Sequence, residues 1–183
     1  MYFFEHYFQT IVKYDLINKF QYKNIKKLPK LKKIVLNFNC KNADTKQLAV
    51  TMTALELISL QKGILTVTKK SNVILKLKKG EPIGCKIILR KTNMYNFLFK
   101  ILNEILPKVK NFKKFNLKQN RNKNYKINTF SFKLKNTLNF LELEKNYYLF
   151  QNLSFLNITF VTNKMSFCEF IFLFQSFKIS NHV

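Results

Sequence analysis

The side chains in this sequence that can do chemistry are amides, hydroxyls and, above all, ammonium groups. Thirty-three Lys and Arg oppose nine Asp and Glu, giving a formal charge of +24 over 183 residues, and only Arg90 and Arg121 are arginine. A lysine neutralises a phosphate as a point charge, whereas arginine grips phosphate or guanine with two parallel bonds. The chemistry implied is the holding of a polyanion, with RNA as the expected class and a strong dependence on salt. Self-repulsion at this charge disfavours the compact state, so the fold should be best populated with its anionic partner bound.

Catalysis is not indicated. The sequence has no Gly-rich phosphate loop, no HExxH, no Ser or Cys nucleophile setting and no converging carboxylates. Its one close acid pair, Glu142 and Glu144, ends a basic tract and reads as a solvated face. Cys40, Cys85 and Cys168 stand too far apart for a metal or disulfide framework, and the two histidines lie near opposite ends. No metal, cofactor or enzymatic activity is therefore expected. Cys85, in an apolar run, reads as a small core residue.

These polar groups must be positioned by a core, and 47% hydrophobic residues are enough to build one. Phe4, Phe8, Val12, Leu16 and Phe20 step by four and predict an N-terminal amphipathic helix. In KKIVLNFNC, Ile34, Leu36 and Phe38 alternate with Lys33, Val35, Asn37 and Asn39, which predicts a strand with one core face and one mostly polar face. Asp44 with Gln47 resembles a capping box opening a helix through Leu48, Met52 and Leu55 to Gly63. Three strand-like runs follow at 64–68, 73–78 and 84–90; in the last, Cys85, Ile87 and Leu89 share one face and Lys86, Ile88 and Arg90 the other. Met94, Phe97, Leu98, Ile101, Leu102 and Ile105 mark a further helix ending near Pro107. Between Ile105 and Leu141 there is no acid and there are ten Lys/Arg, so this tract is expected to be mobile or ordered by RNA. Leu156, Ile158 and Phe160 predict a last strand, and Ser166 to about Phe177 a short aromatic helix. The expected fold is α+β: a single domain over 1–183, a mostly antiparallel sheet packed on helices, with a protruding basic hairpin or loop at 69–81 and a divergent basic region at 113–150.

Abundant Lys, Asn, Phe and Ile beside only three glycines reflect A/T-rich coding, as in an organellar genome. The first residues lack the order of a secretory signal and the Arg and Ser of a transit peptide. The longest aromatic stretch, Met165 to Phe177, includes Glu169 and is too short to span a bilayer.

Residues 60–112 resemble the large-subunit ribosomal protein family numbered five, which binds 5S rRNA. Its bacterial motif G-Q-K-P-x-x-T-x-A-K-K-S is met by Gln61-Lys62, Thr66 and Lys69-Lys70-Ser71, and its E-G-x-P-I-G-C-K-V-T-L-R by Gly80-Glu81-Pro82-Ile83-Gly84-Cys85-Lys86 and Leu89-Arg90. Met94-Tyr95, Phe97-Leu98 and Leu106-Pro107 follow in the family's order, and Pro29, Leu31, Lys33, Ile34, Val35 and Asn37 match an earlier segment. Asn157 through Thr162 is similar to the family's late D-I-T-I-V-T strand. The sequence departs from the pattern at Ile88, where the family has Thr, at Lys108 to Lys114, which lose arginines and a glycine, and at Asn120 to Lys123, which replace a Gly-rich loop.

The resemblance implies a structural constituent of a mitochondrial large ribosomal subunit, with a mitochondrial matrix rather than plastid location. It implies partners in 5S or equivalent organellar rRNA, P-site tRNA, neighbouring proteins of the central protuberance and a small-subunit head protein across a bridge, and no membrane. Its expected rRNA-binding residues are Lys33, Asn37, Asn39, Gln61, Lys62, Thr66, Thr68, Lys86, Arg90, Lys108, Lys110 and Lys113. Its expected tRNA-proximal loop comprises Lys69, Lys70, Ser71, Lys76, Lys78 and Lys79. On residue type alone, Asn37 reads equally as a solvent-facing strand residue, Gln61 as the polar end of a helix, and the loop lysines as a solvated hairpin. The alternative role is a general basic RNA chaperone or processing factor outside the ribosome; a peripheral membrane protein using its lysines and aromatic C-terminus is a third.

Overall fold

An apolar stride of four is longer than the 3.6 residues of an α-helical turn, so each step slips by about 40° around the axis. The N-terminal helix takes up this slip with one wide turn. In the computed structural model, α1 (Phe3–Tyr7) leads into a π turn (Phe8–Val12) and then α2 (Lys13–Phe20), which keeps Phe8, Val12 and Leu16 buried on one side. The helix after Arg90 repeats the device. There α4 (Lys91–Lys100) passes into a π turn (Ile101–Ile105) and a 3₁₀ turn (Leu106–Lys108) at Pro107, and Phe97, Ile101 and Ile105, again four apart, are buried.

The structure describes residues 3–40, 45–74, 77–109 and 127–177. The expected cap at Asp44 lies outside them. Within them run β1 (Leu31–Asn39), α3 (Thr45–Ser59), β2 (Ile64–Val67), β3 (Pro82–Leu89), β4 (Ile127–Leu134), a 3₁₀ turn (Thr137–Asn139), α5 (Leu141–Glu144), α6 (Tyr147–Phe150), β5 (Leu156–Met165) and α7 (Phe167–Ser176). The strands form one five-stranded antiparallel sheet in the order β2-β3-β1-β5-β4, an α+β fold as expected.

The chain divides into two compact units. The first comprises 1–34, 90–130 and 160–183, and the second 35–89 and 131–159. The first unit is aromatic: Phe4 meets Phe99 and Phe177, Phe8 stacks on Phe177, and Phe170 and Phe174 of α7 pack on Phe130 and Phe160. Rings 4.5–7 Å apart contribute beyond their buried area. A capping box sets the start of α7: the Ser166 hydroxyl accepts from the Glu169 N–H, and the Glu169 carboxylate accepts from the Ser166 N–H at 2.7 Å.

In the second unit α3 packs against β3. Leu36, Phe38, Cys85, Ile87, Leu89, Leu156 and Ile158 supply the buried face, and Leu48, Ala54, Leu55 and Ile58 of α3 are buried as well. Thr51 sits among them with its hydroxyl donating to the Leu48 carbonyl, 3.5 Å from the Cys40 sulfur. Cys85 is fully buried, as its sequence context predicts, and burial pushes its thiol up to about 11 despite a hydrogen bond with Thr51.

Two expectations are corrected. The 73–78 run alternates like a strand, but its described residues, 73, 74, 77 and 78, join none of the sheet's strands. Instead Asn72 and Leu77 exchange backbone hydrogen bonds of 2.9 and 3.0 Å and close a short loop on itself. The basic tract is also not wholly without structure: 127–134 forms β4, and 137–150 forms three short helical turns. Thr129, Ser131 and Lys133 alternate there with Phe130, Phe132 and Leu134, a strand pattern that the absence of acids had masked.

Candidate nucleic-acid interface

The polar residues of KKIVLNFNC must lie on the sheet face away from the buried Ile34, Leu36 and Phe38, because strand side chains alternate. They do, and within the second unit the other strands bring polar groups to the same place. A groove of about 500 Å³ is lined by Val35 and Asn37 of β1, Thr66 of β2, Lys86 of β3, Ser131, Phe132 and Lys133 of β4, and Asn157 and Thr159 of β5. All five strands contribute. The lining holds two ammonium groups, amides and hydroxyls, and no carboxylate.

The close approach of strands under this groove depends on Gly84. A Cβ there would stand 2.3 Å from the Phe38 carbonyl oxygen and 3.1 Å from the Thr66 hydroxyl. Gly84 is registered opposite Thr66 and flanked by the Ile64–Lys86 pair. Without a side chain on Gly84, β1, β2 and β3 can hold Asn37, Thr66 and Lys86 in one surface.

Asn37 is oriented before any ligand arrives. Its Nδ2 donates to Asn39 Oδ1 at 3.0 Å, while its own Oδ1 is shielded from solvent and has no hydrogen-bond partner among the described residues. Such an orphan acceptor carries a desolvation cost that a donor would relieve.

Of the other expected rRNA-binding residues, Lys33 lies on the polar side of β1, in the first unit, half-buried. Gln61 and Lys62 are exposed after α3, outside the groove, with Gln61 Nε2 reaching the Ile88 carbonyl at 3.5 Å. Arg90 and Lys108 are exposed in the first unit, and Lys110 and Lys113 lie outside the described residues. Thr68 requires a correction: it is buried, and its hydroxyl donates to the Lys78 carbonyl, so it braces the arm instead of facing a ligand. In that arm Lys69, Lys70, Ser71, Lys78 and Lys79 are exposed, while Lys76 lies outside the described residues.

Sequence reasoning missed Ser131 and Lys133, which sat in the tract expected to be mobile or ordered by RNA. It had Asn157 and Thr159 on the outer side of a strand without joining them to Asn37. Glu144 of the acid pair is exposed and Glu142 half-buried, both on the short α5. No cluster of His, Cys, Asp or Glu able to hold a metal occurs among the described residues, and no described helix is long and apolar enough to cross a membrane.

Comparison with known proteins gives the chain a family. The C-terminal domain of the ribosomal L5 family matches residues 82–180, from the start of β3 to just past α7. The large ribosomal subunit protein uL5m of Reclinomonas americana is 36% identical over 175 residues, covering 94% of both chains. The uL5 proteins of Thermosipho africanus and Clostridium acetobutylicum are 40% and 46% identical over 111 and 100 residues, covering 60% and 54% of this chain and 61% and 56% of theirs. With a family match over more than half its length and a relative matched nearly end to end, the chain belongs to the uL5 family of ribosomal proteins, whose members are structural and not enzymes.

Proposed function

We propose that this protein is a structural component of the mitochondrial large ribosomal subunit that holds rRNA, 5S or its organellar equivalent, against the open face of its sheet. The structural role in the large subunit follows the names of its relatives, and the match to uL5m along 94% of the chain makes the location mitochondrial. The observation that carries the RNA contact is the groove itself. Lys86 and Lys133 provide charge for phosphates; Asn37, Thr66, Ser131, Asn157 and Thr159 provide groups that read riboses and bases.

In this proposal the arm from Lys69 to Glu81 points toward P-site tRNA, and the protein shares the central protuberance with other ribosomal proteins and a bridge to the small-subunit head. The test is a residue-resolved map of RNA crosslinks to the protein within purified large subunits. Crosslinks at Asn37, Thr66, Lys86 and the β4–β5 face are expected. A protein sedimenting apart from large subunits, or crosslinks confined to the basic tract after Ile105, would overturn the proposal in favour of a free RNA chaperone.

A further inference from the structure

β2 ends the strand order, and among the described residues no strand pairs with its outer side. Successive residues of a strand turn their backbone groups to opposite sides. Just past β2, the Thr68 N–H donates to the Glu81 carbonyl and the Thr68 carbonyl accepts from the Gly80 N–H, so Thr68 turns inward. Alternation then turns the N–H and C=O of Val67 and Leu65 outward, and those of Thr66 and Ile64 toward β3. The irregularity between Thr66 and Val67 does not reverse this order. Register there passes from Gly84 to Pro82, so the extra residue, Ile83, belongs to β3 and β2 runs on unbroken.

The side chains along this edge are aliphatic on both faces of the sheet. Ile64 is 55% exposed, Leu65 43% and Val67 56%. Edge strands are ordinarily blunted by lysine or proline, and Ile64–Val67 contains neither. The cations stand just outside it instead: Lys62 before the strand and Lys69 and Lys70 after it are all exposed. Free backbone groups, aliphatic side chains above and below, and a positive charge at each end fit an incoming β-strand that is apolar at its centre and acidic at its ends. A second copy of this chain does not fit. Antiparallel pairing of two β2 strands would set Lys62 of one copy against Lys69 or Lys70 of the other, in molecules that each carry +24. RNA offers phosphates to the N–H groups but no aliphatic surface for both faces.

We infer that the outer edge of β2 receives an extended segment of a neighbouring protein, apolar at its centre and carboxylate-bearing at its ends, as a sixth strand of the sheet. This goes beyond the RNA reading of the groove and does not depend on it.

The experiment uses the full chain and a synthetic nine-residue peptide with alternating Val and Thr between Asp-Glu ends, followed by amide hydrogen exchange at residues 64–67. In the free protein the Leu65 and Val67 amides should exchange at least about tenfold faster than those of Ile64 and Thr66, and saturating peptide should slow the first pair by about tenfold or more. Two versions of the peptide, N-methylated on alternate sets of residues, should differ: one binds like the parent and the other about tenfold more weakly, because only one set of N–H groups faces β2. Val67→Pro removes an outward donor that no bond to β3 uses, at an edge where proline is tolerated, and should weaken the parent peptide by about tenfold. Exchange and N-methylation are read on the wild-type chain, so they decide the matter even if this variant does not fold. Equal binding of the two methylated peptides, unchanged exchange at Leu65 and Val67, undiminished binding to a folded Val67→Pro chain, or equally tight binding of a peptide with Lys-Lys ends would overturn the inference. Protection of the two amides that rises with protein concentration alone would overturn it in favour of a second copy. The same protection produced by a double-stranded RNA hairpin, without the peptide competing, would overturn it in favour of RNA covering this edge.

Discussion

Gly84→Ala should damage this protein through a single contact. The new Cβ would lie 2.3 Å from the Phe38 carbonyl oxygen, about 1 Å inside normal contact, and 3.1 Å from Thr66 Oγ1. The Thr66 side chain can turn away. The Phe38 carbonyl cannot, because Phe38 is fully buried and its strand is paired on both sides. Relief requires β1 and β3 to part by a substantial fraction of an ångström where sheets keep about 4.8 Å between strands. Overpacking of this kind costs about 1–3 kcal/mol, and a backbone neighbour places it toward the upper end. With a urea slope of about 1–3 kcal/mol per molar, the unfolding midpoint should fall by roughly 1–2 M with the slope unchanged. RNA binding should fall as well under conditions where the variant is folded, because Asn37 and Asn39 flank Phe38 and move with it. Gly80→Ala is the matched control: its φ of +90° strains any side chain, but no atom lies within 4 Å of the new methyl. It should cost only about 1 kcal/mol and leave RNA binding intact. A Gly84→Ala midpoint within about 0.3 M of wild type would refute the close-approach argument.

Leu60 holds a φ of 55° with its N–H donating to the Glu56 carbonyl at 2.8 Å, the left-handed end of α3, and its side chain is 89% exposed. Leu60→Gly should therefore raise stability by about 0.5–1 kcal/mol, a rise of roughly 1–4 °C in Tm. Cys168 is exposed and Cys40 and Cys85 buried, so one thiol per folded chain should react quickly with an aromatic disulfide reagent and two only on unfolding. Burial raises the Cys85 thiol from 9.0 to about 11, so its contribution to stability is complete below about pH 9 and lost as pH rises through 11; Cys85→Ala should flatten the alkaline limb of a pH–stability curve. Asn37→Ala should weaken rRNA binding by about 1–3 kcal/mol at an unchanged salt slope, whereas Lys86→Ala should weaken it less and reduce the slope by about 0.9.

Period legibly encoded most of the fold. Ile34, Leu36 and Phe38, then Cys85, Ile87 and Leu89, then Leu156, Ile158 and Phe160 alternate without interruption, and each set is buried. The stride of four in the N-terminal helix announced a helix but not its π turn, because periodicity reports a face and not the hydrogen-bond ladder that presents it. The 73–78 run failed for a related reason: V-I-L-K-L-K has strand chemistry, but a strand needs a neighbour, and neighbours are a property of the sheet. Thr68 shows the limit for sites. Its hydroxyl is of a type that binds RNA, yet the Lys78 carbonyl claims it, and no local pattern specifies a partner ten residues away.

The positive charge, finally, is not spread evenly, and its distribution bears on how a polyanion can approach. Residues 45–60 and 137–155, which build α3, α5 and α6 in the second unit, contain Lys46 and Lys145 against Glu56, Glu142 and Glu144, a local charge of 2 − 3 = −1 in a chain of +24. Lys86 and Lys133 line the groove, and Lys69, Lys70, Lys78 and Lys79 crowd the arm. Screening confines each ammonium's influence to about 8–10 Å at physiological salt, so within the second unit a polyanion would meet attraction at the groove and the arm and little at these helices. Segregation of this kind orients the encounter before any amide is read. It also reduces the self-repulsion that an even +24 would impose on the helical layer, where close packing of Leu48, Leu55 and Ile58 against the sheet supplies no counter-ion.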